Sequence, residues 1–132
     1  MLFRSLSGTI PASVMGNSFQ VTAESQENTV TANNTDTVID TVTASGTLAI
    51  EYTLRLTQGS YRRLSKVLVN PTSGGTGVDY VEYAVIETGT ATGTITVSAG
   101  YSAPNFTLIV NASSASPAAN NITAKLEKFV MV

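Results

Sequence analysis

The chain has 132 residues, enough for one domain with a usable core, and carries a net charge of −2 with only 12% charged residues. That balance is wrong for wrapping nucleic acid, which needs a strong positive field, and no apolar run approaches the ~18 residues that span a membrane. With neither cysteine nor histidine, disulfides, thiolate catalysis, His/Cys zinc sites and Ser–His chemistry are excluded. In chain order, the first segment, MLFRSLSGTIPASVMGNSF, has Ser, Gly, Thr and Pro where a cleaved signal peptide needs a continuous apolar stretch, so a secretory route is not expected. Residues 1–34 read as an N-terminal arm or extended segment. SFQVTA (18–23) is a short strand within it, because Phe19 and Val21 alternate with polar neighbours, and ENTVTANNTD (27–36) is polar and turn-like.

From residue 35 to 132 the pattern is that of one β-sandwich domain. Twenty threonines and many valines supply β-branched side chains. TVIDTVTA (37–44) is a strand closed by Ser45-Gly46. In TLAIEYTLRLT (47–57), Leu48, Ile50, Tyr52, Leu54 and Leu56 take every second position and are expected to form one buried stripe. Gln58-Gly59-Ser60 is a tight turn into YRRLSKVLVN (61–70), which stops at Asn70-Pro71. After the glycine-rich loop PTSGGTG (71–77) come VDYVEYAVIE (78–87), TITVSA (94–99) and FTLIVNA (106–112), each alternating. ITAKLEKFVMV (122–132) contains helix formers at Lys125, Glu127 and Lys128, but its β-rich end makes it a strand. Seven strands after residue 35 and one before it, at a spacing of 10 to 15 residues, predict an all-β, antiparallel sandwich of jelly-roll type with about eight strands.

Chemistry is sparse. Asp79 and Glu82 lie three apart in one strand and so face opposite ways. Asp36 and Asp40 lie four apart, share a face in that reading, and are the one place where a calcium ion is weighed; no DxDxDG run supports it. SGGTG (73–77) lacks the lysine and following helix of a phosphate loop. The Asn-x-Ser/Thr sequons at Asn105, Asn111 and Asn121 are expected to be unread without a secretory route. Most of the five tyrosines are assigned to packing in the core or across strands, because a sugar platform leans on tryptophan and the chain has none. Four of the seven basic residues fall between Arg55 and Lys66. Arg55 faces away from Leu54 and Leu56, while Arg62 and Lys66 share a face and Arg63 takes the other. The cluster reads equally as a solvated hairpin that guards an edge or as a contact in which arginines meet a neighbour's carboxylates.

Glu51-Tyr52, the Gly turn, Lys66-Val67-Leu68-Val69, then Glu82-Tyr83 leading to Thr88-Gly89, then Leu108 to Ser116, together resemble a domain repeated in virion proteins of tailed bacteriophages, many of them phages of cyanobacteria. The resemblance covers roughly residues 46–132. Where that pattern has a His-Asp-Gly turn after the Lys-bearing strand, this chain has Asn70 to Gly75. The resemblance implies a virion structural protein without catalytic residues or cofactors. A short, acidic, cysteine-free β-sandwich with an extended N-terminal arm also suits a capsid decoration (cement) protein that binds the major capsid protein or other virion proteins, assembles as a homo-oligomer with a trimer favoured, and sits on the capsid surface. A tail-fibre, adaptor or baseplate component is the alternative, and a carbohydrate-binding module the second. No catalytic, cofactor-binding or metal-binding residue is expected; the candidate subunit contacts are Arg55, Arg62, Lys66, Phe3 and Phe19.

Overall fold

The computed structural model describes the backbone of residues 19–21 and the whole of residues 26–132. Nine strands follow one another: β1 (Phe19–Val21), β2 (Gln26–Val30), β3 (Asn33–Thr43), β4 (Ala49–Gln58), β5 (Tyr61–Pro71), β6 (Val78–Thr88), β7 (Thr94–Ser102), β8 (Asn105–Ser113) and, after a single 3₁₀ turn at Pro117–Asn120, β9 (Ile122–Met131). Every pairing is antiparallel. Sheet A runs β1-β9-β4-β5-β6, with β2 continuing the β1 edge alongside β9, and sheet B runs β3-β8-β7. The all-β antiparallel sandwich read from the sequence is therefore the fold. The β2-β9-β4 and β3-β8 pairings interleave as in a jelly roll, whereas β4, β5 and β6 follow one another as a meander within sheet A.

The core forms because each central strand alternates strictly. In β4, Ile50, Tyr52, Leu54 and Leu56 are buried, and their direct partners Val69, Val67 and Ser65 on β5 and Val130, Leu126 and Ala124 on β9 point the same way. Phe106, Leu108, Val110 and Ala112 of β8 face them from sheet B. The β4–β5 hairpin turns at Gly59, whose φ of +56° a residue with a Cβ adopts only at a cost. Gln58, the last residue of β4, is buried and acts as a tie. Its Nε2 donates to the carbonyls of Thr92 (3.2 Å) and Asn120 (2.9 Å), and its Oε1 accepts from the Thr92 amide (2.7 Å). Gln58→Leu leaves those backbone groups unpaired, and a loss of about 2 kcal/mol is expected in denaturant titration.

Three sequence expectations change. Gln26–Val30, read as turn-like and part of the arm, is a sheet strand against β9, with Val30 and Ala32 fully buried. Its polar residues hid it, because at a sheet edge only the inward positions need be apolar. Leu48 does not join the buried stripe: it precedes β4 and is 61% exposed. Asp36 and Asp40 do not share a face. A register shift between Val38 and Asp40 makes Ile39 an extra residue, so Asp36 pairs with outward Asn111 and Asp40 with inward Leu108.

Candidate functional site

The displaced Asp40 is the hub of a buried polar link between the sheets. Tyr52 on β4 donates its hydroxyl to Asp40 Oδ2 at 2.9 Å, and Lys128, directly opposite Tyr52 on β9, places its Nζ 3.0 and 2.9 Å from the two Asp40 oxygens. Burial, the Asp40 charge and this hydrogen bond together push the Tyr52 hydroxyl pKa well above the ordinary tyrosine range. Burial and a hydrogen bond to Glu87 (2.6 Å) raise Tyr61 in the same direction. Both tyrosines thus keep their protons to higher pH folded than unfolded. That contribution is complete below about pH 10, where unfolded tyrosine ionises, and is lost as pH rises beyond it. Thermal melts are expected to show Tm falling above about pH 10, and falling less steeply in Tyr52→Phe. A carboxylate already held by an ammonium and a phenol has the satisfied geometry of a structural link. Among the described residues no three acids converge as a metal site would require.

The outer face of sheet A is different. Cross-strand register fixes what it presents, because directly paired residues point the same way. One row across β9, β4, β5 and β6 reads Phe129, Glu51, Leu68, Val81; the next reads Glu127, Thr53, Lys66, Tyr83; the third reads Lys125, Arg55, Leu64, Ile86. Arg62 follows, paired with Thr57. Arg55, Arg62 and Lys66 therefore share one outer face; alternation had paired only Arg62 with Lys66, and the β4–β5 register adds Arg55. Lys66 is held by Glu51 at 2.6 Å, which raises its pKa. Arg63 takes the inner side and pairs with Glu82 and, at 3.5 Å, Glu87. Phe19 is placed in register opposite Met131; Phe3 lies outside the described residues.

This face also carries apolar side chains that the sequence reading did not single out. Of the twelve large hydrophobic residues exposed among the described residues, only Val38 belongs to sheet B. The others lie on the outer face of sheet A, on β6, or at the sheet's rim. Leu48, Leu68, Phe129, Met131 and Val132 border a hollow of about 450 Å³ at one end of it. Among the described residues β6 pairs on one side only, and it is exposed on both faces, with Tyr80, Val81, Tyr83, Val85 and Ile86 all open to solvent. Sheet A has five positions across and sheet B three, so β6 overhangs. The outer face of sheet B is richer in hydroxyls and amides, with Thr41, Thr43, Thr94, Thr96 and Ser98 outward, although Asp36, Val38 and Ile109 share it. A signal for the apolar face was present in VDYVEYAVIE, where both alternating sets are apolar, and in YRRLSKVLVN, where Leu64 and Leu68 occupy the polar register.

No family model matches the chain, and no curated protein is similar to it in sequence. The fold is similar to part of a phage tailspike. A solved structure of the tailspike protein of Acinetobacter baumannii phage AM24 aligns with a TM-score of 0.55 over 85% of this chain, at 6% identity. The chain covers 26% of that tailspike. At this identity the likeness is one of fold: the same kind of β-sandwich occurs as a module within a larger particle protein.

Proposed function

We propose that this chain is a non-catalytic structural component of a tailed-phage particle, held in place through the outer face of sheet A. The observation that carries the reading is the contrast between its two outer surfaces. One is an apolar and charged sheet face beside an uncovered edge strand, a combination that marks protein contact. The other is mostly hydroxyl and amide, interrupted by Asp36 and by the apolar pair Val38 and Ile109, and is the wetter of the two. A particle subunit needs such a division, with one side docked and the other wet. The tailspike likeness and the virion-domain resemblance support the same reading.

Within the particle the finer reading is a decoration protein of the capsid shell, contacting the major capsid protein and forming a trimer. The tailspike fold likeness favours a second reading, a tail component. Immunogold labelling of separated heads and tails tests both. Label on heads is expected, and label confined to tails selects the second reading. Absence from purified particles would sink both. Leu68→Asp with Met131→Asp should release the protein from particles while leaving its melting temperature within a few degrees, because both side chains are outward and half-exposed.

A further inference from the structure

We propose that the outer face of sheet A receives an extended acidic segment of a partner protein, with its carboxylates on Arg55 and Arg62 and an apolar side chain in the hollow beside Phe129 and Met131. This rests on the reading that the face docks a partner, and names that partner's chemistry. Six cationic side chains lie among the described residues. Four are paired with carboxylates of the chain: Arg63 with Glu82, Lys66 with Glu51, Lys125 with Glu27 and Lys128 with Asp40. Arg55 and Arg62 are paired with no carboxylate among the described residues. Both border one depression of about 200 Å³ together with Lys125, Thr57 and Thr123.

Two features make that depression a site for an anion. Arg62 donates from Nη1 to the carbonyls of Gly59 and Tyr61, which fixes the guanidinium in place with other donors to spare. Arg55 sits directly opposite Lys125 in the β4–β9 register, and because Glu27 already holds Lys125, Arg55 is the cation of this pair open to an incoming carboxylate. Glu127 borders the neighbouring hollow with Arg55 and Lys125 but forms no ion pair with either.

The occupant must also cover the apolar end. Lys125 borders the depression and Met131 the hollow, both outward on β9. Six residues separate them, which is about 20 Å at the rise of a strand. An extended segment with its acidic and apolar groups five or six residues apart spans both. Between them the Glu51–Lys66 pair is already neutralised, so covering it strands no charge. A nucleic acid is a poor fit, since it would meet few cations on an acidic chain.

The test uses a capped ten-residue peptide with an Asp-Glu pair at one end, a leucine five residues on, and serine and threonine elsewhere. Arginine Nε and methionine methyl resonances of the full chain report binding. The Arg55, Arg62 and Met131 signals are expected to shift together, and the affinity to fall at least tenfold in the Arg55→Gln/Arg62→Gln double variant, whose outward side chains leave the fold intact. An Asn-Gln version of the peptide should lose the arginine shifts, and a version with the leucine two residues on should lose the Met131 shift. No shift at millimolar peptide, or equal binding by the double variant, overturns the proposal. So does self-association of the chain that the double variant abolishes, which would make a second copy the occupant. Because the peptide test needs no particle, its failure is distinct from failure of the particle labelling.

Discussion

Asp40→Ala is expected to destabilise the protein by about 3–5 kcal/mol, the usual result of removing one partner from a buried ion pair. Asp40 and Lys128 side chains are 4% and 13% exposed. Without the carboxylate, the Lys128 ammonium stays between the sheets with no counter-charge, and the Tyr52 hydroxyl loses its acceptor. The cost comes from stranded polar groups and not from the attraction that is lost. A triple variant therefore makes the informative comparison: Asp40→Leu with Lys128→Met and Tyr52→Phe removes every member of the link and should lie much nearer wild type. Denaturant titration of both variants checks the pair. A triple variant as unstable as Asp40→Ala would mean that the link itself, and not the orphaned charge, holds the sheets together.

Gly93→Ala is expected to cost about 3–5 kcal/mol, from a positive-φ penalty plus a clash that cannot relax. Gly93 has φ +86° in the turn between β6 and β7, and a Cβ there would lie 1.8 Å from the Ser113 carbonyl oxygen. The obstacle is backbone at the end of β8, and Ser113 is the register partner of Thr94. The turn must therefore move as a whole, pulling against the Gln58 hydrogen bonds to Thr92 next door. Gly46→Ala and Gly59→Ala supply the controls. Both have positive φ, but nothing lies within 4 Å of an added Cβ, so each should cost only about 1 kcal/mol. Equal losses at all three would show that backbone conformation alone matters.

The strands of this fold were readable wherever a period of two ran unbroken. The β4 pattern placed Ile50, Tyr52, Leu54 and Leu56 inside and Arg55 outside, and the structure agrees. Reading failed where one residue more or less decides a direction. The extra residue at Ile39 turns Asp40 inward, and no residue near it announces a bulge. β2 escaped notice because an edge strand needs few apolar side chains. For the candidate site, alternation put Arg62 and Lys66 on one face and Arg55 away from Leu54 and Leu56, but only the β4–β5 register brings all three together. Nor did the sequence reveal that Lys66 is tied to Glu51 while, among the described residues, the two arginines meet no carboxylate, because that depends on which residues meet across strands. The hollow was equally hidden: Leu68, Phe129 and Met131 come from strands far apart in the chain, and each looks ordinary alone.

The place of β9 has a consequence for how the protein is made. It is the last strand in the order, yet it lies inside sheet A, between the β1/β2 edge and β4, and it supplies Lys128 to Asp40. During synthesis the β4–β5–β6 meander can pair as soon as it emerges, since its contacts are local. Residues 26–30 have no partner strand until residues 122–126 have been added. The buried face of β4 meanwhile stays partly uncovered, and such surface is where nascent chains aggregate. A nascent chain stalled before β9 should therefore be a chaperone client, and release of that strand the event that ends its exposure.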